Sequence, residues 1–421
     1  MSAPFDAKPL SIIDPMPLGF VVTSPVNLET LTKNNPPGKG KWWALDGSNR
    51  NRSDCDAAFA AMFPIGVTTT TARTLAAAPV ASGIIADSSG FCAIAAAGTS
   101  PLQTSSTGAS WSYTGSAFAA STSPQQIIAA GARYIMCGTA GDFGNETMQS
   151  TATAVNLADK AVWTSNTGIG YPQDKRVAYS PQLALSVAIL YNYSVNEAFS
   201  MADATTAWTT RSPATATRLG VVWTGQRFIV TTTTVGLIQT STDGTTWSDV
   251  YHPNLGNNAS AQIASDGAGT VVITYNNTSV DWLHVSKDHG TTWGRALVPP
   301  ETNVSLLSGA AVIPEPNRVE FVNNKFVVTT NNTSYAPIFS ADGKSWFIEP
   351  IAARGIPSIT FNSLAFKAGV YCGLTSAATA AFTATENTSM FRLPGSPATA
   401  GTSGTIPTYA ISGTQYIKVA M

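Results

Sequence analysis

Short apolar runs separated by turn residues recur along most of this chain. Leu219 to Trp223 leads to a turn at Thr224-Gly225-Gln226, then Arg227 to Thr233, a break at Gly236, Leu237 to Thr240, a turn at Asp243-Gly244, and Trp247 to Val250. Four β-rich runs of this length, punctuated by residues that accept positive φ, predict an antiparallel four-stranded meander. The same order returns in Arg318 to Val322, Asn323-Asn324, Lys325 to Thr330, Ala336 to Ser340, Asp342-Gly343 and Trp346 to Ile348. Asn-Asn and Asp-Gly supply the backbone conformations that tight hairpin turns demand.

The turn ahead of the last strand is the most regular feature. Ser241-Thr242-Asp243-Gly244-Thr245-Thr246-Trp247 recurs at Ser286 to Trp293, with Asp288 and Gly290, and at Ser340 to Trp346, with Asp342 and Gly343. Weaker copies end at Trp111, Trp163, Trp208 and Phe391. Subtracting successive aromatic positions (111, 163, 208, 247, 293, 346, 391) gives 52, 45, 39, 46, 53 and 45, the length of one propeller blade. In such a turn the Asp accepts bonds from nearby backbone N–H groups, the Gly takes the φ a side chain forbids, and the Ser or Thr closes the loop. The Trp then opens the outer strand and buries its ring against the next unit. The pattern resembles the Asp-box, or BNR repeat, of sialidase-like and other β-propellers. The resemblance implies that these residues are structural, on the rim of the ring and away from any catalytic face.

The expected fold is therefore all-β, a propeller of four-stranded antiparallel blades over residues 66–421. Val67 to Leu75 looks like a third and fourth strand, with Leu75 where the aromatic would stand. Thr405 to Ser412 and Thr414 to Val419 look like a first and second strand. Joining the two ends would close one further blade and leave no open edge, which predicts eight blades with seven as the alternative. Cys92, Cys137 and Cys372 fall at equivalent second-strand positions, so they read as small core residues rather than disulfides or metal ligands.

Residues 1–65 do not share the repeat. Pro36-Pro37-Gly38, Lys41-Trp42-Trp43-Ala44-Leu45-Asp46-Gly47 and the run Asp54 to Phe63 follow one another in an order that resembles the tail-collar domain of bacteriophage tail fibres. That resemblance covers roughly residues 14–66 and implies a small α+β attachment domain. The Pro-Asp strand that normally follows the helix in that family is not evident here.

Composition narrows the function classes. With 23 basic and 24 acidic residues the formal net charge is -1, which offers no basic stripe for nucleic acid. No apolar run reaches the ~20 residues of a membrane span, and Met1 to Leu10 lacks a signal peptide's apolar core. The three histidines (His252, His284, His289) have no ligand-like spacing, and no cofactor motif is present, so neither metal nor cofactor is expected.

Candidate chemistry follows from the resemblances. A sialidase-like hydrolase or depolymerase would need an arginine cluster at the ring mouth; Arg133, Arg176, Arg227 and Arg318 lie on inner or second strands. Arg392, in Phe391-Arg392-Leu393-Pro394, follows the last box instead of preceding the boxes. No catalytic residue is assigned, and the expected function is non-enzymatic: a virion structural protein of a tailed phage, tail-fibre or baseplate-associated, synthesised in the bacterial cytoplasm. The expected partners are other tail proteins and a host surface glycan or protein, with Tyr191, Tyr193, Tyr251 and Tyr335 as receptor contacts. Trp42 and Trp43 are the expected assembly contact of a homo-oligomer, a trimer by the collar resemblance. A non-viral bacterial scaffold propeller is the other alternative.

Overall fold

The structure, a computed structural model, describes residues 21–24, 41–44, 49–51, 66–67, 71–75, 83–94, 99–120, 122–139, 147–151, 156–167, 176–189, 197–203, 205–213, 217–252, 255, 262–274, 282–297, 316–330, 338–344, 346–348, 361–375, 380–387, 390–392 and 414–420. The chain divides into two units. One is Val67–Thr385; the other joins Met1–Gly66 with Glu386–Met421.

The larger unit is a seven-bladed β-propeller. Its fourth blade runs Arg218–Trp223, Phe228–Thr232, Leu237–Ser241 and Ser248–Tyr251 in both chain and spatial order. The second, third, fifth and sixth blades repeat this meander, beginning at Ser123–Ala130, Arg176–Ser180, Gln262–Ser265 and Pro316–Val322. The first blade has Gly83–Ala86, Phe91–Ile94 and Leu102–Ser105, with its fourth position marked by a bridge between Thr104 and Ser112.

The seventh blade closes the ring, so the expected alternative of seven blades holds in place of eight. Phe361–Lys367, Val370–Thr375 and Ala380–Asn387 take their outer strand from the other end of the chain, where Ala72 pairs with Phe382 and Thr74 with Ala380. Leu75 follows that strand and is buried, 3% exposed. The C-terminal strand expected to share a blade with it goes elsewhere: Thr414–Ala420 is the central strand of a sheet between Val21–Ser24 and Lys41–Ala44 in the smaller unit. Met390–Arg392, read as the outer strand of the seventh repeat, pairs with Asn49–Asn51. Alternation and turn residues specify a strand but not its partner, and the edge that needed filling was already filled by Thr71–Thr74.

Each blade is apolar on both faces because neighbours cover both. On the fourth blade, Val221, Phe228 and Val230 pack with Val187 and Ile189 of the third. Ile229, between Phe228 and Val230, points the other way and packs with Val271, Ile273 and Trp293 of the fifth. This two-residue alternation is what a strand requires. Cys372 of the seventh blade packs with Phe91 and Trp111 of the first, which completes the circle. Cys92, Cys137 and Cys372 are free and buried; Cys55 and the expected helical run Asp54 to Phe63 lie outside the described residues.

Candidate functional site in the central channel

The repeated turns are built from the backbone outward. Asp243 Oδ1 accepts from the backbone N–H groups of Thr245 and Thr246, each at 2.8 Å, and from Ser241 Oγ at 2.9 Å. Its other oxygen takes the Thr246 hydroxyl at 3.1 Å. Asp288 repeats the arrangement with Ser286 and Thr292, and Asp342 with Ser340 and Lys344. Burial opposes ionisation of Asp243, yet the bonds from Thr246, Thr245 and Ser241 outweigh it and hold the carboxyl well below its ordinary range. Asp288 is lowered in the same way. A carboxylate whose lone pairs are taken up by its own loop has none free for a substrate.

The glycine of each turn is the docking point on the preceding blade. Gly108, Gly244, Gly290 and Gly343 all have positive φ. A Cβ on Gly244 would lie 2.5 Å from Leu185 Cδ2, and one on Gly343 would lie 2.9 Å from Thr270 Cγ2. Trp111, Trp293 and Trp346 donate their indole N–H to the carbonyls of Gly108, Gly290 and Gly343 at 3.1, 3.1 and 3.0 Å. The degenerate copies substitute other partners: Trp163 bonds the Leu157 carbonyl and Trp208 the Thr147 hydroxyl of the adjacent blade. Trp247 is half-buried and its ring lies beside Phe228.

The inner strands of all seven blades enclose a channel of about 840 Å³. Its wall carries Ile85, Ile128, Ala178 and Val222 together with polar residues of the inner strands, among them Gln126, Arg176, Arg318, Glu320 and Ser363. Several of these bind the next blade instead of facing solvent. Gln126 accepts from Val177 N at 2.8 Å, Glu320 from Leu364 N at 2.7 Å, and Ser363 from Ile84 N at 3.2 Å. Val177, Leu364 and Ile84 are buried residues of the inner strands of the third, seventh and first blades, so a side chain from one blade satisfies the exposed edge of the next.

Two of the four arginines singled out in the sequence line this channel, Arg176 and Arg318. Arg318 Nε lies 3.3 Å from Glu320 Oε1. Burial pushes the Glu320 carboxyl up, with Arg318 and the Leu364 N–H opposing. Gly220 lets Ile263 of the next blade pack close, since a Cβ there would lie 2.8 Å from Ile263 Cγ2. The other carboxylate on the channel wall, Asp266, accepts from Ala268 N and Thr270 N in its own hairpin. Both channel carboxylates are thus engaged by the fold, and among the described residues no group of three potential metal ligands forms.

Arg133 is not in the channel. It is 8% exposed and reaches the third blade, donating to the carbonyls of Ala202 and Thr205 and to Asp203 Oδ1. Arg392 lies on the strand paired with Asn49–Asn51, in the smaller unit. Tyr251 is 65% exposed, with its ring against Gly236. Tyr191, Tyr193 and Tyr335 lie outside the described residues. Trp42 and Trp43 fall on the strand Lys41–Ala44, and their side chains are outside them too. Sequence reasoning did not single out Gln126, Glu320 or Ser363: Gln126 and Ser363 precede the buried Ile127 and Leu364, whereas Glu320 follows the buried Val319, so no single position marks them.

Fold and channel together define a seven-bladed β-propeller with a central channel lined by its inner strands. No family model matches this chain, and no curated protein matches it. Among solved structures it resembles virginiamycin B lyase from Staphylococcus aureus at 8% identity and a TM-score of 0.54, covering 75% of this chain and 99% of that one. It also resembles a streptogramin B lyase at 9% identity and a TM-score of 0.55 (76% and 98% covered). A third is YCF48 from Cyanidioschyzon merolae, at 10% identity and a TM-score of 0.52 (75% and 98% covered). At these identities the likeness is one of fold. Among the described residues no helix is long and apolar enough to cross a membrane.

Proposed function

We propose that this protein is a non-enzymatic virion component of a tailed bacteriophage, associated with the tail fibre or baseplate, whose Asp-box propeller is a rigid platform for a host surface glycan or a protein. The observation that carries the binding role is the commitment of the ring's carboxylates to structure. Asp243, Asp288, Asp342, Asp266 and Glu320 all accept bonds from the fold itself, so the paired carboxylates that glycoside hydrolysis uses are not supplied by them. A ring closed through seven blade interfaces deforms little, and its loops are held at fixed separations, which suits multivalent recognition. A propeller of similar fold, YCF48, has been solved bound to a D1 peptide, an instance of such a ring holding a protein segment.

The phage assignment is supported by the order Pro36-Pro37-Gly38, Trp42-Trp43 and Asp46-Gly47 ahead of the propeller. Collar-like segments in fibres oligomerise, and a homotrimer displaying three propellers follows from this reading. The test is detection of the protein in purified virions, by mass spectrometry and by antibody labelling of tails in electron micrographs. Labelled tails support the assignment. Virions that lack the protein, or glycan digestion that releases new reducing ends, would overturn it.

A further inference from the structure

A second cavity, of about 280 Å³, opens between the second and third blades and is separate from the channel. Arg133, Gln149 and Thr164 of the second blade and Asp203 of the third line it, with Ala132 and Val162 as its apolar walls. Gln149 and Thr164 are directly paired across the outer ladder of their blade. Their side chains therefore share a face.

The polar groups are arranged with donors in excess. Arg133 Nη1 donates to Gln149 Oε1 and to the Thr205 carbonyl, both at 2.9 Å, and Nη2 to Asp203 Oδ1 at 3.3 Å. The second oxygen of Asp203 accepts from the Tyr179 hydroxyl at 2.7 Å. This leaves Arg133 Nε buried without a hydrogen-bond partner, a state that costs free energy unless a ligand or water supplies an acceptor. Gln149 spends its carbonyl on Arg133, so its amide NH₂ remains as a donor, and exposed Thr164 brings a hydroxyl to the rim. The one cation present is already neutralised by Asp203. A second anion would gain little there, whereas an uncharged group rich in acceptor oxygens would meet the Gln149 and Thr164 donors and a short apolar wall.

We propose that this cavity is a subsite for one neutral sugar residue, its hydroxyl oxygens accepting from the Gln149 amide and Thr164, and its C–H face against Val162. The volume lies near the lower end for small-ligand pockets, about 300 Å³, which fits a single ring. The inference rests on the glycan branch of the proposed function and gives it a place and a ligand class. It stands or falls separately from virion location, because it is read by binding to the purified protein.

The experiment is saturation-transfer NMR on the full chain with methyl α-glucoside, methyl β-galactoside and N-acetylglucosamine, with glucuronate as the acidic control. Two variants at the rim keep the Arg133 contacts intact: Thr164→Val removes the hydroxyl, and Thr164→Trp fills the cavity. At least one neutral glycoside is expected to bind, roughly two- to tenfold more weakly to Thr164→Val, and not at all to Thr164→Trp, with thermal unfolding unchanged in both. No transfer to any neutral glycoside, which is the result if ordered water alone occupies the cavity, would overturn the proposal. So would binding that persists in Thr164→Trp, or a preference for glucuronate.

Discussion

The glycine of each repeated turn offers a direct probe of how one blade is fastened to the next. In Gly343→Ala the new Cβ would stand 2.9 Å from Thr270 Cγ2 and 3.2 Å from Val285 Cγ1, both on the fifth blade, at a backbone φ of +73°. The left-handed conformation alone costs a side chain about 1–2 kcal/mol. Displacing packed methyl groups of the neighbouring blade adds about 1–3 kcal/mol, for a sum of roughly 2–5 kcal/mol. Gly267 is the matched control, because its φ is +68° and nothing lies within 4 Å of its Cβ position. Gly267→Ala should therefore lose only the conformational part. Guanidinium unfolding followed by tryptophan fluorescence reads both. Equal destabilisation of the two variants would refute the claim that the turn docks on the preceding blade, since only one of them meets a neighbour.

Other consequences can be checked with the same protein. Asp243 and Asp288 are held below the ordinary carboxylate value of 3.8, so the stability they contribute is complete above that pH and is lost as pH falls toward their folded values. A melting profile should drop below about pH 4, and Asp243→Asn should flatten that limb; identical profiles would contradict the assignment. Glu320→Ala leaves the Leu364 N–H without its acceptor and should cost about 1–3 kcal/mol, whereas Glu320→Gln keeps an oxygen there and should cost less in thermal unfolding. Arg133→Ala removes the bonds to Ala202, Thr205 and Asp203 and should cost about 2–3 kcal/mol, measured by denaturant midpoint.

Local regularities were legible in the sequence. The Ser-x-Asp-Gly turn can be recognised because every bond that defines it falls within a few residues, from Ser241 to Thr246. The second-strand cysteines were readable for a related reason, as small residues within short apolar strands. What could not be read is pairing across hundreds of residues. Thr71–Thr74 and Thr414–Ala420 both have strand composition, and nothing local says that the first completes the blade of Phe361–Lys367 while the second joins Val21–Ser24. The spacing to Phe391 reinforced the error, because an aromatic at blade distance imitates an outer strand that the chain places elsewhere.

The channel was harder still. Arg133 and Arg176 look alike in sequence, each near the start of a strand in its repeat. Arg133 begins a second strand, where its guanidinium reaches the turn of the third blade, while Arg176 begins an inner strand and faces the bore. The side chains that tie inner strands together, Gln126, Glu320 and Ser363, differ in chemistry and share only their acceptor oxygen. A pattern defined by residue identity therefore passes over them.

The central claim is a ring of seven blades in which the repeated turns are architecture and Thr71–Thr74 closes the circle. A density map of the protein resolved to individual strands tests it most directly. The account predicts seven sheets around one channel, with Thr71–Thr74 on the outer edge of the sheet formed by Phe361–Lys367, Val370–Thr375 and Ala380–Asn387. An eighth sheet, with Thr414–Ala420 among its strands, would contradict it.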